Sequence, residues 1–380
     1  MGEPKEAIHG GAEPAAKGIS LQMWLLLAIP IALVLRWTDA SPILVFLVSL
    51  VAIYPLAEIM AEATEALAVT LGPTVGGLLN ASLNNAPEII IAMFALKNGL
   101  GDVVKASITG SILVELLFGL GLAMMLGGLR HGTQRFNEEA IQINAGLLTL
   151  CSFGLVIPAV FHLSSPKAEE ELSWEISAIL LLIYAINLGA TLLFKKKDEE
   201  PAGAVAQTVP EENGEAAPGW SQGKATAILV AATLVLAVMS EVVTDALEPT
   251  SKQLGLSDVF SGIILLAGAG GIGEIISATR FARSNKMDLA IEASVGSSIQ
   301  MILLAVPLLV FAAPLLGTEM NLLFTPFEIV SIVLTTVVIR NIVTDGRSTW
   351  MEGLMLLAVY IMLGIGFYYL PADAGAGGLG

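Results

Sequence analysis

The chain alternates long apolar runs with short polar stretches, and the runs exceed what the helices of a soluble core need. They fall at 21–37, 42–68, 73–97, 103–127, 139–162, 173–194, 225–247, 256–281, 288–316, 323–343 and 350–370. Roughly 20 apolar residues of helix cross about 30 Å of hydrocarbon, so the pattern predicts an all-α polytopic membrane protein with about 11 transmembrane helices. The polar stretch 1–20 lacks the charged, apolar, small-residue order of a cleavable signal, and the first helix is expected to stay in the protein.

Composition agrees, with 55% hydrophobic and 14% charged residues and a mean hydropathy of +0.79; a soluble chain is far more polar. Lys and Arg fix an expected orientation because positive residues are retained on the cytoplasmic side. With the N-terminus inside, thirteen basic residues fall in inside segments and five (Arg36, Lys97, Lys105, Lys167, Lys252) outside. The expectation is an N-terminus in the cytoplasm, a C-terminus outside, and a prokaryotic plasma membrane as the location. Part of the net charge of −16 lies in an acidic, Pro/Gly-containing stretch at 198–219, which reads either as a solvated tether or as a cation-sensing segment. The single Cys151 excludes an internal disulfide, and no Cys/His spacing resembles a zinc or haem site. No prosthetic group and no nucleic-acid partner are expected; the lipid bilayer and inorganic cations are, and a homo-oligomer stays open.

Within this apolar background the polar residues repeat. Glu88 and Glu274 differ by 274 − 88 = 186 positions; Asp102 and Asp288, and Gly110-Ser111 and Gly296-Ser297, keep the same offset. A second pair of stripes, Glu58, Glu62, Glu65 and Glu241, Asp245, Glu248, keeps an offset of 183, each trio on one helix face. The repeat unit is therefore five helices. The expected organisation is an arm with the first helix (1–41), a first repeat (42–197), an acidic cytoplasmic linker (198–222), a second repeat (223–371) and a Gly-rich tail (372–380). Five is odd, so the second copy enters the membrane upside down, as in many secondary transporters. The two trios then face opposite sides, either as acidic vestibules that concentrate cations or as ordinary polar helix ends.

A carboxylate in a lipid-spanning helix costs about 2.5 to 3.5 kcal/mol on insertion scales unless it lines a cavity or finds a partner. Two at matched positions suggest one cation site built from two halves. Pro87 removes a backbone donor just before Glu88, and four glycines precede Glu274, so both helices are expected to break there. Freed carbonyls, Asn84, Asn85 and the two carboxylates form the oxygen environment a hard cation such as Ca²⁺ prefers. Ser111, Glu115, Ser297 and Gln300 lie at similar depth on the next helices, with small-residue packing as an alternative role for the serines.

Over residues 20–370 the chain resembles the calcium/proton exchangers (CAX family) of the cation/calcium exchanger superfamily. The resemblance is carried by NNAPEIIIAMFALKNG with TGSIL in the first half and GGIGEIISATRFARSNKMD with VGSSIQ in the second. The segment DGRSTWMEG, Asp345 to Gly353, is also similar to a family segment. The resemblance implies an eleven-helix antiporter in which Glu88 and Glu274 match the essential cation- and proton-binding glutamates. It also implies Asn85 as the signature Asn and Ser111 and Ser297 as the GS serines. Four positions depart from the family pattern: Gly271 replaces the second signature Asn, Ile275 a frequent His, Asn84 the first signature Gly, and Glu115 an Asn after the GS motif. One oxygen ligand is lost and one carboxylate gained.

The function expected is alternating-access exchange of Ca²⁺ for H⁺, with either species neutralising the two glutamates so that the site can cross between its two openings. An antiporter of Na⁺ or K⁺ for H⁺ on the same fold is the alternative, and a cation channel ranks below it. An enzyme is not expected, since His131 and His162 lie near helix ends expected on opposite faces of the membrane and no catalytic pair shares a depth.

Overall fold

Helix formation follows the apolar runs closely. The computed structural model describes residues 24–38, 40–162, 169–193 and 219–370; the expectations for the N-terminal arm, most of the acidic linker and the tail lie outside these residues. Helix α1 is Ala28–Trp37, α2 Pro42–Leu71, α3 Pro73–Leu83, α4 Ala86–Lys97, α5 Gly101–His131, α6 Glu138–His162 and α7 Glu169–Leu193. Beyond the linker come α8, Gln222–Leu254, α9 over 258–270 and α10, Ile272–Arg283. The chain then forms α11, Met287–Leu316, α12, Pro326–Ile342, and α13, Trp350–Tyr368. Eight of these, α2, α5 to α8 and α11 to α13, are long and apolar enough to cross a membrane.

Two expected spans are not continuous. The run 73–97 is divided into α3 and α4 at Asn84 and Asn85, with Asn85 at φ −96°, ψ 18°. The run 256–281 is divided into α9 and α10 at Gly271, with φ −80°, ψ 5°. Both second pieces are 12 residues long, and their starts obey 272 − 86 = 186. Pro87 enforces the first break because it donates no backbone hydrogen bond, and it sits in the first turn of α4, where helices tolerate it.

The apolar exterior reverses the usual soluble pattern. Leu47 and Val51 on α2, Ile179, Leu182 and Ile186 on α7, and Val230 and Leu234 on α8 are all exposed, a surface suited to hydrocarbon rather than water. Helices α5 and α11 are innermost: 72% and 67% of their apolar stretches are buried, against 17% for α13. Helix α5 reaches this depth by pressing Gly110 onto the Ile263 backbone and Ala267 of α9, where any side chain at 110 would collide. The Gly of the first GS motif is thus a packing residue.

Polar contacts gather at the two ends. At one, Arg36 pairs with Asp245 at 2.6 Å, Asn98 donates to Asp245 at 2.9 Å, and Lys105 donates to the Leu323 carbonyl at 3.1 Å. At the other, a two-residue antiparallel pair of strands, β1 Gln134–Arg135 and β2 Arg347–Ser348, joins the α5–α6 and α12–α13 connections. These strands are the only departure from an all-helical fold among the described residues. Gln134 donates to Ala282 O at 2.8 Å beside them, and the Asp345–Gly353 segment ends in a capping box of Thr349 and Glu352 that starts α13.

Candidate functional site

Each helix break presents a glutamate from the first turn that follows it. Glu88 stands in the first turn of α4 and Glu274 in that of α10, where unpaired backbone N–H groups favour negative charge. The breaks meet each other. A Cβ on Gly270 would lie 2.9 Å from Glu88 Cγ and 3.2 Å from its Oε1, so the first-half glutamate packs onto the second-half break and a side chain there is excluded. Oε2 of Glu88 and Oε2 of Glu274 are both buried without a hydrogen-bond partner among the described residues. Other buried side-chain atoms also lack a hydrogen-bond partner among the described residues, but these two stand out as carboxylate oxygens at matched positions of the two breaks, where leaving a buried acceptor unsatisfied is costly.

Beside them lies a third carboxyl. Glu115, 1% exposed, sits in a π-helical turn of α5, Val114–Gly119, a local widening often found at functional sites. Ser298 Oγ donates to Glu115 Oε2 at 2.6 Å, and Ser297 Oγ lies 3.2 Å from Oε1. Ser297 Oγ is also 3.0 Å from Asn85 Oδ1, while Asn85 Nδ2 donates to the Ser297 carbonyl at 3.3 Å. One hydroxyl proton on Ser297 therefore faces two acceptors. Helix α10 packs onto that π-helical turn, where a Cβ on Gly119 would lie 3.3 Å from Ile275, the residue after Glu274, and so brings Glu274 to the same region as Glu88 and Glu115.

The structure thus brings Glu88, Glu274, Glu115, Asn85 and Ser297 together. Ser111 and Gln300 are buried in the turns of α5 and α11 that carry Glu115 and Ser297, and Asn84 closes α3 half-buried. Ser298 was not singled out from the sequence; its signal was the second Ser of VGSS, overlooked beside the better-known first. Another buried carboxyl missed by sequence, Glu328, has a local role, accepting from Thr325 N and Oγ1 at 2.7 Å to cap α12. Among the described residues no three His, Cys, Asp or Glu side chains form a ready metal cage. A cation entering here would complete its shell with Asn, Ser or backbone oxygens and water, all acceptable to Ca²⁺.

The acidic trios differ from one another. Glu58 accepts from Tyr54 Oη at 2.8 Å, and Glu58, Glu62 and Glu65 are half-buried along α2. In the second trio Asp245 is paired with Arg36 and Glu248 with Lys252. Two of its three charges are therefore balanced.

Comparison with known proteins matches this architecture. The Ca(2+)/H(+) antiporter of Aphanothece halophytica is 40% identical over 361 residues, covering 91% of this chain and 96% of that protein. The Ca(2+)/H(+) antiporter ChaA of Bacillus subtilis (strain 168) is 40% identical over 338 residues, 88% of this chain and 94% of its own. The solved structure of native YfkE superposes with a TM-score of 0.77 at 36% identity, covering 92% of this chain and 100% of that one. The H+/Ca2+ exchanger CAX, at 15% identity, shares the fold with a TM-score of 0.72. The family described as "Sodium/calcium exchanger protein" matches residues 41–193 and 224–369, and the chain belongs to that family.

Proposed function

We propose that this protein is a secondary antiporter exchanging Ca²⁺ for H⁺ across a membrane by alternating access at Glu88 and Glu274. The observation that carries this reading is the pair of orphaned carboxylate oxygens on matched, abutting helix breaks. Two ionised, empty glutamates would have to cross a low-dielectric barrier, which is costly. One divalent cation or protons neutralise them, so reorientation is confined to the loaded forms and exchange is obligatory. The relatives named Ca(2+)/H(+) antiporters support the choice of ions.

Counting the short apolar helix α1 and the two broken segments with the eight long helices supports a reading of eleven crossings. The equal 12-residue pieces at offset 186 support two five-helix repeats of inverted orientation. The gathering of alternate connections at opposite ends supports the same path, and the excess of Lys and Arg near the β1–β2 end supports its placement in the cytoplasm. The half-buried trio Glu58, Glu62 and Glu65 forms a vestibule on that side. The test is proton movement on addition of Ca²⁺ to proteoliposomes of defined internal pH, against Na⁺ and K⁺ at matched ionic strength. Proton flux driven by Na⁺ or K⁺ and indifferent to Ca²⁺ would sink the proposal.

A further inference from the structure

At the end of the molecule that carries β1 and β2, an open cleft of about 520 Å³ is lined by Arg130, His131, Arg280, Arg283 and Ser284. The first two end α5 and the arginines of the second pair lie in the last turn of α10. Gly127 is what brings them together, since a Cβ there would lie 3.0 Å from Ala282 Cβ and the two helices pack side by side. The last turn of a helix favours one cation through its terminal carbonyls, an effect of about half a charge. Two such ends, worth about one charge together, do not balance Arg130 and Arg283, and no carboxylate lines the cleft among the described residues. Arg130 and Arg283 form no ion pair among those residues. His131 is committed elsewhere, with Nε2 2.8 Å from the Arg283 carbonyl, a contact that fixes the two helix ends relative to each other.

The surroundings of the cleft say which anion it suits. Leu129, next to Arg130, is 64% exposed, and Trp350, whose backbone abuts Gly128, is 42% exposed. Apolar and aromatic surface directly beside a cationic cleft is the arrangement of a membrane boundary. We propose that this cleft, through Arg130 and Arg283, binds the phosphodiester headgroup of an anionic phospholipid in the adjacent leaflet, the acyl chains lying against the neighbouring apolar surface. Guanidinium groups suit this ligand because they meet phosphate oxygens in a fixed fork. The occupant would neutralise Arg130 and Arg283 and tie the end of α10 to the bilayer, on the helix whose first turn holds Glu274.

The test is native mass spectrometry of the full chain titrated with phosphatidylglycerol or phosphatidylcholine of identical acyl chains, with a parallel titration of inorganic phosphate. Wild-type protein is expected to retain phosphatidylglycerol preferentially. R130Q/R283Q should weaken that retention by about 30-fold, at about 1 kcal/mol for each basic residue near an anionic surface. R135Q/R347Q, which removes the same charge from exposed strand residues on the same face, should change it less than about threefold. Equal retention of the two lipids by the wild type overturns the proposal whatever the variants do. So does inorganic phosphate binding as tightly as the lipid, which would make a free anion the ligand, and so does equal weakening by the two double variants.

Discussion

The two helix breaks carry the same glutamate in the same turn of helices of the same length, yet they are made in different ways. In the first half, Asn84, Asn85 and Pro87 break the helix and leave a side chain, Asn85, that reaches Ser297. In the second half glycine breaks it, and Gly271 contributes no side chain. The position also has little room, because a Cβ at 271 would lie 3.3 Å from Val114 Cγ1. The charge is duplicated while the neutral oxygen donors are not. On the proposed mechanism the glutamates would set whether an ion binds, and the uneven remainder would set which ion.

The largest effect should come from testing what the halves share. Glu88→Gln and Glu274→Gln should each reduce Ca²⁺-driven proton movement in proteoliposomes to background. Removing one charge from a buried set costs about 3–5 kcal/mol, more than about a hundredfold. Wild-type flux in either folded variant would remove that glutamate from the site.

The next test makes the halves alike. Gly271→Asn should tighten Ca²⁺ binding by about tenfold, taking one added oxygen ligand as comparable to one polar contact to a charged group, and sharpen rejection of Na⁺ in competition assays. The Val114 contact makes the single variant crowded, so G271N/V114A should show the gain more fully. Unchanged Ca²⁺ and Na⁺ responses in both folded proteins would show that position 271 does not face the ion.

Glu115→Gln probes the carboxyl that only the first half has. The amide keeps an acceptor for one serine but must place its NH₂ against the other, so a several-fold shift in half-saturating Ca²⁺ is expected with the fold retained. The smallest effect separates the two trios. E58Q/E62Q/E65Q should weaken apparent Ca²⁺ affinity by about threefold at low ionic strength and negligibly at high, because surface fields are screened. D245N/E248Q should do less, since Arg36 and Lys252 already balance those charges. A salt-independent loss in the first trio would mean direct ligation instead.

Most of the scaffold was legible because a bilayer leaves the backbone few options. Apolar length located the helices, and Pro87 and the run before Glu274 announced the breaks. The polar cluster was legible only as a set of depths. That Ser297 would meet Asn85 and Glu115 rather than a partner in its own half depends on how α4, α5 and α11 pack, and no local pattern reports packing between distant helices. The same limit hid the pairing of Arg36 with Asp245, residues separated by 209 positions. It also hid the Arg130 and Arg283 cleft, whose members read as ordinary cytoplasmic charges.

The Asn85, Ser297, Glu115 cluster has a thermodynamic consequence. Shifted by 186 positions, its image is Gly271, Ser111 and Met301, of which only the serine is polar. An inverted repeat with identical halves would have inward-open and outward-open forms of equal energy. With unequal halves nothing holds the two forms at equal energy, and on the proposed mechanism Ca²⁺ would be free to bind with different affinity from the two sides. Around a closed cycle the free energies sum to zero, so that affinity ratio must reappear as the ratio of the reorientation constants of loaded and empty carrier. In that cycle the asymmetry would tune how the carrier divides its time between the two faces, while the direction of net exchange would be fixed by the electrochemical gradients of the two ions.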